Sequence, residues 1–149
     1  SKNELSSLLK LFYCDNNDYP KLILKNNLSV IRYNNFFYIV EDKIKNNHSE
    51  KLWDLKDDIS FGDFRLTIKE LKDKGIYDCL CKKAPIILRN VKGKERMMLN
   101  RHNHQELKKI FQAKSIPLWE RQRFILLFSK NELLVACGAE HTFISTELR

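Results

Sequence analysis

The chain has 149 residues, with 27 Lys and Arg against 19 Asp and Glu, a formal net charge of +8. A hydrophobic share of 43% and a charged share of 31% suit a folded, well-solvated chain of one average domain or two small ones. No apolar run approaches the roughly 20 residues of a membrane-spanning helix, which excludes an integral helical membrane protein.

Residues 4–13 place Leu5, Leu8, Leu9 and Phe12 at helical spacing, so a short N-terminal helix is predicted there. The polar cluster from Asp15 to Pro20 ends it. Leu28–Tyr33 and Phe36–Val40 are rich in β-branched and aromatic residues. Asn34-Asn35 between them can supply the positive φ of a two-residue turn, so a β-hairpin is expected. Residues 41–51 are nearly all polar and read as a connection, with a domain boundary near residue 50: 1–50 as one region and 51–149 as the other.

Beyond it, Phe64–Ile68, Ile76–Cys81, Pro85–Val91 and Arg96–Leu99 read as strands separated by Lys, Asp and Gly turns. A helix is predicted from Asn103 or His104 to about Lys114. Leu107, Ile110 and Phe111 lie on one face of it, and Gln105, Lys108, Lys109 and Gln112 on the other. Pro117 biases Ile116 towards an extended conformation and is placed to open a helical turn through Arg121. Phe124–Phe128 and Glu132–Cys137 form a second hairpin around Ser129-Lys130-Asn131, Gly138 follows it, and Thr142–Ser145 adds an edge strand.

The charge is unevenly spread. Residues 1–75 hold 13 Lys and Arg against 12 Asp and Glu, a net of +1, whereas residues 76–149 hold 14 against 7, a net of +7. Between Lys82 and Arg123 there are 12 cations and only Glu95, Glu106 and Glu120, a net of +9. The second half is therefore the expected anion-contacting part.

Chemistry of other kinds is sparse. Cys14, Cys79, Cys81 and Cys137 show no zinc-ligand spacing. Cys79 and Cys81, read on a strand, would face one side as core thiols, with a metal site completed by His102 or His104 as the rival reading. Reduced thiols and the absence of an export signal point to the cytoplasm. The chain has only four glycines, Gly62, Gly75, Gly93 and Gly138, and no Gly-rich phosphate loop. Asp54, Asp57 and Asp58 read as a solvated loop rather than a metal cluster. Of His102 and His104, one is expected to cap the helix and the other to lie exposed. No catalytic residue and no metal ligand is assigned. The stronger reading is nucleic-acid binding: Lys108, Lys109 and Gln112 on a helix face, bracketed by Arg101, Lys114, Arg121 and Arg123, offer cations for phosphates and an amide for riboses or base edges. Trp119 reads as an anchor for the short turn, or else as a stacking platform for a base.

The run from Leu107 to Phe128, with Leu107-Lys108-Lys109, Phe111, Ile116-Pro117, Trp119 and Arg121, followed by the hairpin ending at Gly138, resembles the C-terminal domain of bacterial tRNA(Ile)-lysidine synthases. The resemblance is strong over about residues 100–140 and weaker at the 28–40 hairpin. It departs at Asn103-His104-Gln105-Glu106, where the family often carries Gly or basic residues, and at Ile125, where it often carries Pro. It implies an α+β chain: a short N-terminal helix and β-hairpin, then a β-sandwich-like C-terminal domain with one main helix.

It also implies a role in an ATP-dependent ligase that joins free lysine to the wobble cytidine of tRNA(Ile) with a CAU anticodon. The Ser-Gly-Gly-x-Asp-Ser loop of the catalytic domain is missing from these residues. The chain is thus expected to recognise the tRNA body and acceptor stem without a cofactor of its own, ATP and magnesium belonging to the absent catalytic domain. Two other classes stand beside this reading: a structural or homodimerising module, and an unrelated basic RNA-binding domain.

Overall fold

Five consecutive residues, Ile125 to Ser129, are all buried, which only a strand covered on both faces allows. In the computed structural model this strand is the centre of the larger unit. The structure describes residues 6, 21–24, 28–33, 36–41 and 49–149. The chain divides into two compact units, 1–45 and 46–149.

In the first unit β1 (Lys21–Ile23), β2 (Leu28–Tyr33) and β3 (Phe36–Glu41) form an antiparallel sheet in that order. Tyr33 pairs with Phe36, so the hairpin has the expected two-residue connection. The turn residues Asn34-Asn35 themselves lie outside the described residues, as does the helix expected at 4–13 apart from Ser6, which is helical.

In the second unit β4 (Lys51–Trp53), β7 (Ile86–Asn90), β10 (Ile125–Ser129), β11 (Glu132–Cys137), β8 (Arg96–Asn100) and β9 (Asn103–Glu106) form an open sheet in that order. The outer edge of β11 is shared. Its start pairs in parallel with β8 through Leu133 and Met97, and its end pairs antiparallel with β12 (Thr142–Ile144). A separate hairpin joins β5 (Ile59–Phe61) to β6 (Phe64–Leu66). Four short α-helices, α1 (Ile68–Asp73), α2 (Tyr77–Lys82), α3 (Leu107–Ala113) and α4 (Leu118–Arg121), with α3 the longest at seven residues, and a 3₁₀ turn at Thr146–Leu148 complete the described part of this unit. The architecture is mixed α/β and mostly strand.

The large sheet carries a core on each side. Along β10, Ile125 and Leu127 enter a cluster with Trp53, Phe61, Leu71, Leu80 and Leu88, whereas Leu126 and Phe128 enter one with Met97, Leu107, Ile110, Phe111 and Phe143. On β11 this alternation is interrupted, because Leu127 pairs with Val135 but Phe128 pairs with Leu133. The bulge leaves Leu134 as the extra residue, so Leu134 and Val135 both enter the first cluster, while Leu133 and Ala136 enter the second. Lys130 and Asn131 turn the hairpin, both at positive φ (46° and 68°), as a two-residue primed turn requires.

Three sequence expectations change. Ile76–Cys81 is not a strand: Tyr77–Lys82 is helix α2. Ile76 and Leu80 are four residues apart and both buried, at 3% and 0% exposure, and that helical spacing outweighs the alternation seen in sequence. Cys79 and Cys81 therefore do not share a face, and Cys81 is exposed. Second, the strand at 64–68 stops at Leu66, because Thr67 caps α1 with its hydroxyl accepting from the Glu70 amide. Third, the main helix begins at Leu107 rather than Asn103 or His104. Residues 103–106 pair with β8 instead, Met98 facing His104 and Arg96 facing Glu106. An all-polar strand shows no two-residue period to read. Neither histidine caps the helix: the cap position is Glu106, without a side-chain cap bond, and His102 and His104 are both exposed.

Candidate nucleic-acid interface

Helix α3 separates its faces as its sequence predicts. Leu107, Ile110 and Phe111 are buried, while Lys108, Lys109 and Gln112 are exposed. A Schellman motif ends the helix: the Ser115 amide donates to the Gln112 carbonyl (3.1 Å) and the Ile116 amide to that of Phe111 (2.9 Å). Ser115 supplies the left-handed residue, at φ 53°, where glycine is usual. The motif returns Ile116 to the core, where it is 1% exposed, and leaves Lys114 exposed at the end of the helix. Arg101 is exposed in the turn between β8 and β9. Five predicted contact residues, Arg101, Lys108, Lys109, Gln112 and Lys114, are thus side chains open to solvent.

Arg121 and Arg123 differ from them. Arg121 is buried, at 6% exposure, and its Nε donates to the Ile116 carbonyl at 2.7 Å. The guanidinium holds the loop between α3 and α4 against the core, and its Nη2 is buried without a partner among the described residues. The expected surface cation is here an internal brace, because the four-residue helix α4 points it back at the preceding loop. Arg123 is half-buried, as is Trp119.

A second basic group lies in and beside the loop between β7 and β8, at residues the sequence pattern did not single out. The loop between β7 and β8 is organised by Glu95, whose side chain is 3% exposed. Its carboxylate accepts from the Lys92 amide (2.9 Å), the Gly93 amide (2.8 Å) and Arg89 Nη1 (2.8 Å). Burial alone would push this carboxyl up, but Arg89 and the two amides outweigh it and hold it below the usual carboxylate range. Arg89 also lies 4.3 Å over the Phe128 ring. In sequence Glu95 is only one of three acids among 12 cations, although a Glu two residues after Gly93 could have signalled a carboxylate-built turn.

The remaining candidates resolve as structure. Asp54 accepts from the Lys56 amide and Asp58 from the Ile68 amide, so two of the three aspartates shape loops. Burial pushes the Cys137 thiol up to about 12, which keeps it protonated and unreactive at neutral pH.

Geometry and charge thus define a small mixed α/β domain with a cationic helix face open to solvent. Residues 86–142, from β7 to the first residue of β12, match the family of TilS substrate C-terminal domains. The tRNA(Ile)-lysidine synthase of Shewanella woodyi is 44% identical over 50 residues, which are 32% of this chain and 11% of that protein. The aligned part is therefore about a tenth of the length of that relative. No helix among the described residues is long and apolar enough to cross a membrane.

Proposed function

We propose that the chain is the tRNA-binding, C-terminal part of a lysidine-forming ligase, and that it grips the tRNA body through Arg101, Lys108, Lys109, Gln112 and Lys114. The observation that carries this reading is a coincidence of position. The family match at 86–142 contains the exposed face of α3, and that face carries cations with no acidic partner among the described residues. An RNA duplex is gripped through its backbone and minor groove, so solvated lysines beside an amide suit it better than a base-reading motif would. The sandwich-like packing implied by the family resemblance belongs to this proposal, supported by the core clusters on both faces of the sheet. Lysine transfer to the wobble cytidine of tRNA(Ile) with a CAU anticodon, and the ATP and magnesium it consumes, belong to a catalytic domain that these residues do not include. A cytoplasmic location follows from that substrate.

Charge reversal at Lys108 and Lys109 tests the reading. In filter binding the double variant Lys108→Glu, Lys109→Glu should bind tRNA at least about tenfold more weakly, and its log–log salt slope should fall by about 1.5 for two lost phosphate contacts. Unchanged affinity and slope would exclude this face. The second reading, a homodimer, is favoured by the exposed apolar side chains Ile23, Phe36 and Ile39 of the first unit, at 72%, 66% and 74% exposure. Sedimentation of the chain without tRNA would show it.

A further inference from the structure

The Glu95-built loop, the β8–β9 hairpin and the β10–β11 turn line a half-open cavity of about 640 Å³, within the roughly 300–1,000 Å³ of small-ligand sites. Its wall carries Arg89, Lys92, Lys94 and Arg96, and half-buried Met98 supplies apolar surface, with Phe128 and Leu133 lying beneath as buried core side chains. The loop is pre-shaped: Gly93 and Lys94 both hold positive φ (108° and 83°), and the Glu95 carboxylate accepts from the Lys92 and Gly93 amides.

The acids in the cavity are already matched, Glu95 by Arg89 at 2.8 Å and Glu132 by Lys83 at 3.9 Å. Lys94 has no acidic partner among the described residues. Lys92 and Arg96 hold only exposed pairs, with Glu50 at 3.4 Å and Glu106 at 3.8 Å, of the kind that exchange readily for a stronger anion. A duplex backbone would satisfy these cations but would leave the apolar surface unused. An unpaired nucleotide satisfies both, because its base has an apolar face that stacks on aromatic rings and guanidinium planes.

We propose that this cavity binds one unpaired nucleotide of an RNA strand, the phosphate on Lys92 and Lys94 and the base against the Arg89 guanidinium and Met98. The proposal rests on the tRNA reading above for its source of RNA, but it concerns other residues than the exposed face of α3.

The test is amide NMR of the full chain with two probes, a 5′-phosphorylated single-stranded RNA trinucleotide and a blunt RNA duplex, together with filter binding of whole tRNA. The trinucleotide should shift the amides of Gly93, Lys94, His104 and Asn131. Lys94→Glu, whose spectrum reports directly whether it folds, should weaken the trinucleotide by about tenfold, one phosphate contact being lost and one repulsion gained, while changing duplex affinity less than twofold. A trinucleotide that shifts only α3 amides, or shifts nothing, overturns the proposal, as does a Lys94→Glu variant that weakens both probes equally. If tRNA binds but the trinucleotide does not, the cavity proposal alone falls. If the trinucleotide binds in the cavity but tRNA does not bind the chain, the cavity stands and the tRNA reading falls.

Discussion

Gly138 ends the β10–β11 hairpin for a steric reason that a single methyl group would expose. A Cβ built there would lie 2.5, 2.6 and 2.9 Å from Cζ, Cε2 and Cε1 of Phe124, against about 3.5–4.0 Å for an ordinary carbon contact. The ring would have to retreat by about 1 Å. It has little room, being 2% exposed, with Phe111 at 4.6 Å and Phe143 at 6.1 Å between ring centroids. Gly138→Ala is therefore expected to cost about 1–3 kcal/mol, the usual range for overpacking a core. At roughly 4 °C per kcal/mol for a domain of this size, the melting temperature should fall by about 4–12 °C. Phe124→Leu alone should cost about 1–2 kcal/mol by leaving a cavity. In the double variant the added methyl occupies that space, so the two losses should fall short of their sum by at least about 1 kcal/mol. Circular dichroism during thermal and urea denaturation measures all four proteins. A Gly138→Ala protein within about 0.5 kcal/mol of the parent, or a strictly additive double variant, would refute the steric account.

Three other outcomes follow from the same packing. The Glu95 carboxyl is held below its ordinary value in the folded state, so its contribution is present above the unfolded value near 4.5 and is lost as pH falls through the folded one; Glu95→Gln should cost about 1–3 kcal/mol at pH 7, and the gap in melting temperature between it and the parent should narrow by pH 3. Ser115→Gly should stabilise by about 0.5–1 kcal/mol in urea denaturation, because glycine carries no penalty at the left-handed position that ends α3. Arg121→Met should lower stability by about 1–3 kcal/mol as the Ile116 carbonyl loses its donor, while leaving the salt slope of tRNA binding unchanged; a reduced slope would restore Arg121 to the phosphate-contacting surface.

Legibility in the sequence followed the strength of the periodic signal. The hairpin at 125–137 carries two long apolar runs around a polar turn, and its strands appear where expected. The bulge at Leu134 was invisible, because four successive apolar residues fit either register. Helix α3 was readable from Leu107 onward, where Ile110 and Phe111 define a face, and unreadable before it, where four polar residues form β9. Ile76 and Leu80 illustrate a short ambiguity: six residues with apolar ones at alternate positions also satisfy an i, i+4 pair. Gly75, at φ 72°, held the deciding information. It ends α1 by the same pair of bonds seen at Ser115, Ile76 to the Leu71 carbonyl and Gly75 to that of Lys72, both at 3.0 Å, so that the chain re-enters a helix one residue later.

Charge was legible as a total and not as a location. Of the 12 cations between Lys82 and Arg123, Arg121 braces a loop, Arg89 matches Glu95, and Lys83 bridges Glu132 and Glu147. Composition cannot separate such internal cations from those left for a ligand, because both kinds serve the same residue types. What separates them is where the chain puts an acid or a carbonyl within reach. The lysines of α3 lie opposite a helix face of Leu, Ile and Phe, which offers them neither, so their charge stays in solvent. The lysines of the β7–β8 loop escape Glu95 for the opposite reason: it is beside them, but its oxygens accept from the loop amides and Arg89. The carboxylate nearest both lysines in sequence is instead the group that fixes the turn they stand on, so the same acid that lowers the net charge of this segment leaves Lys94 without an acidic partner among the described residues and Lys92 with only its exposed pair to Glu50.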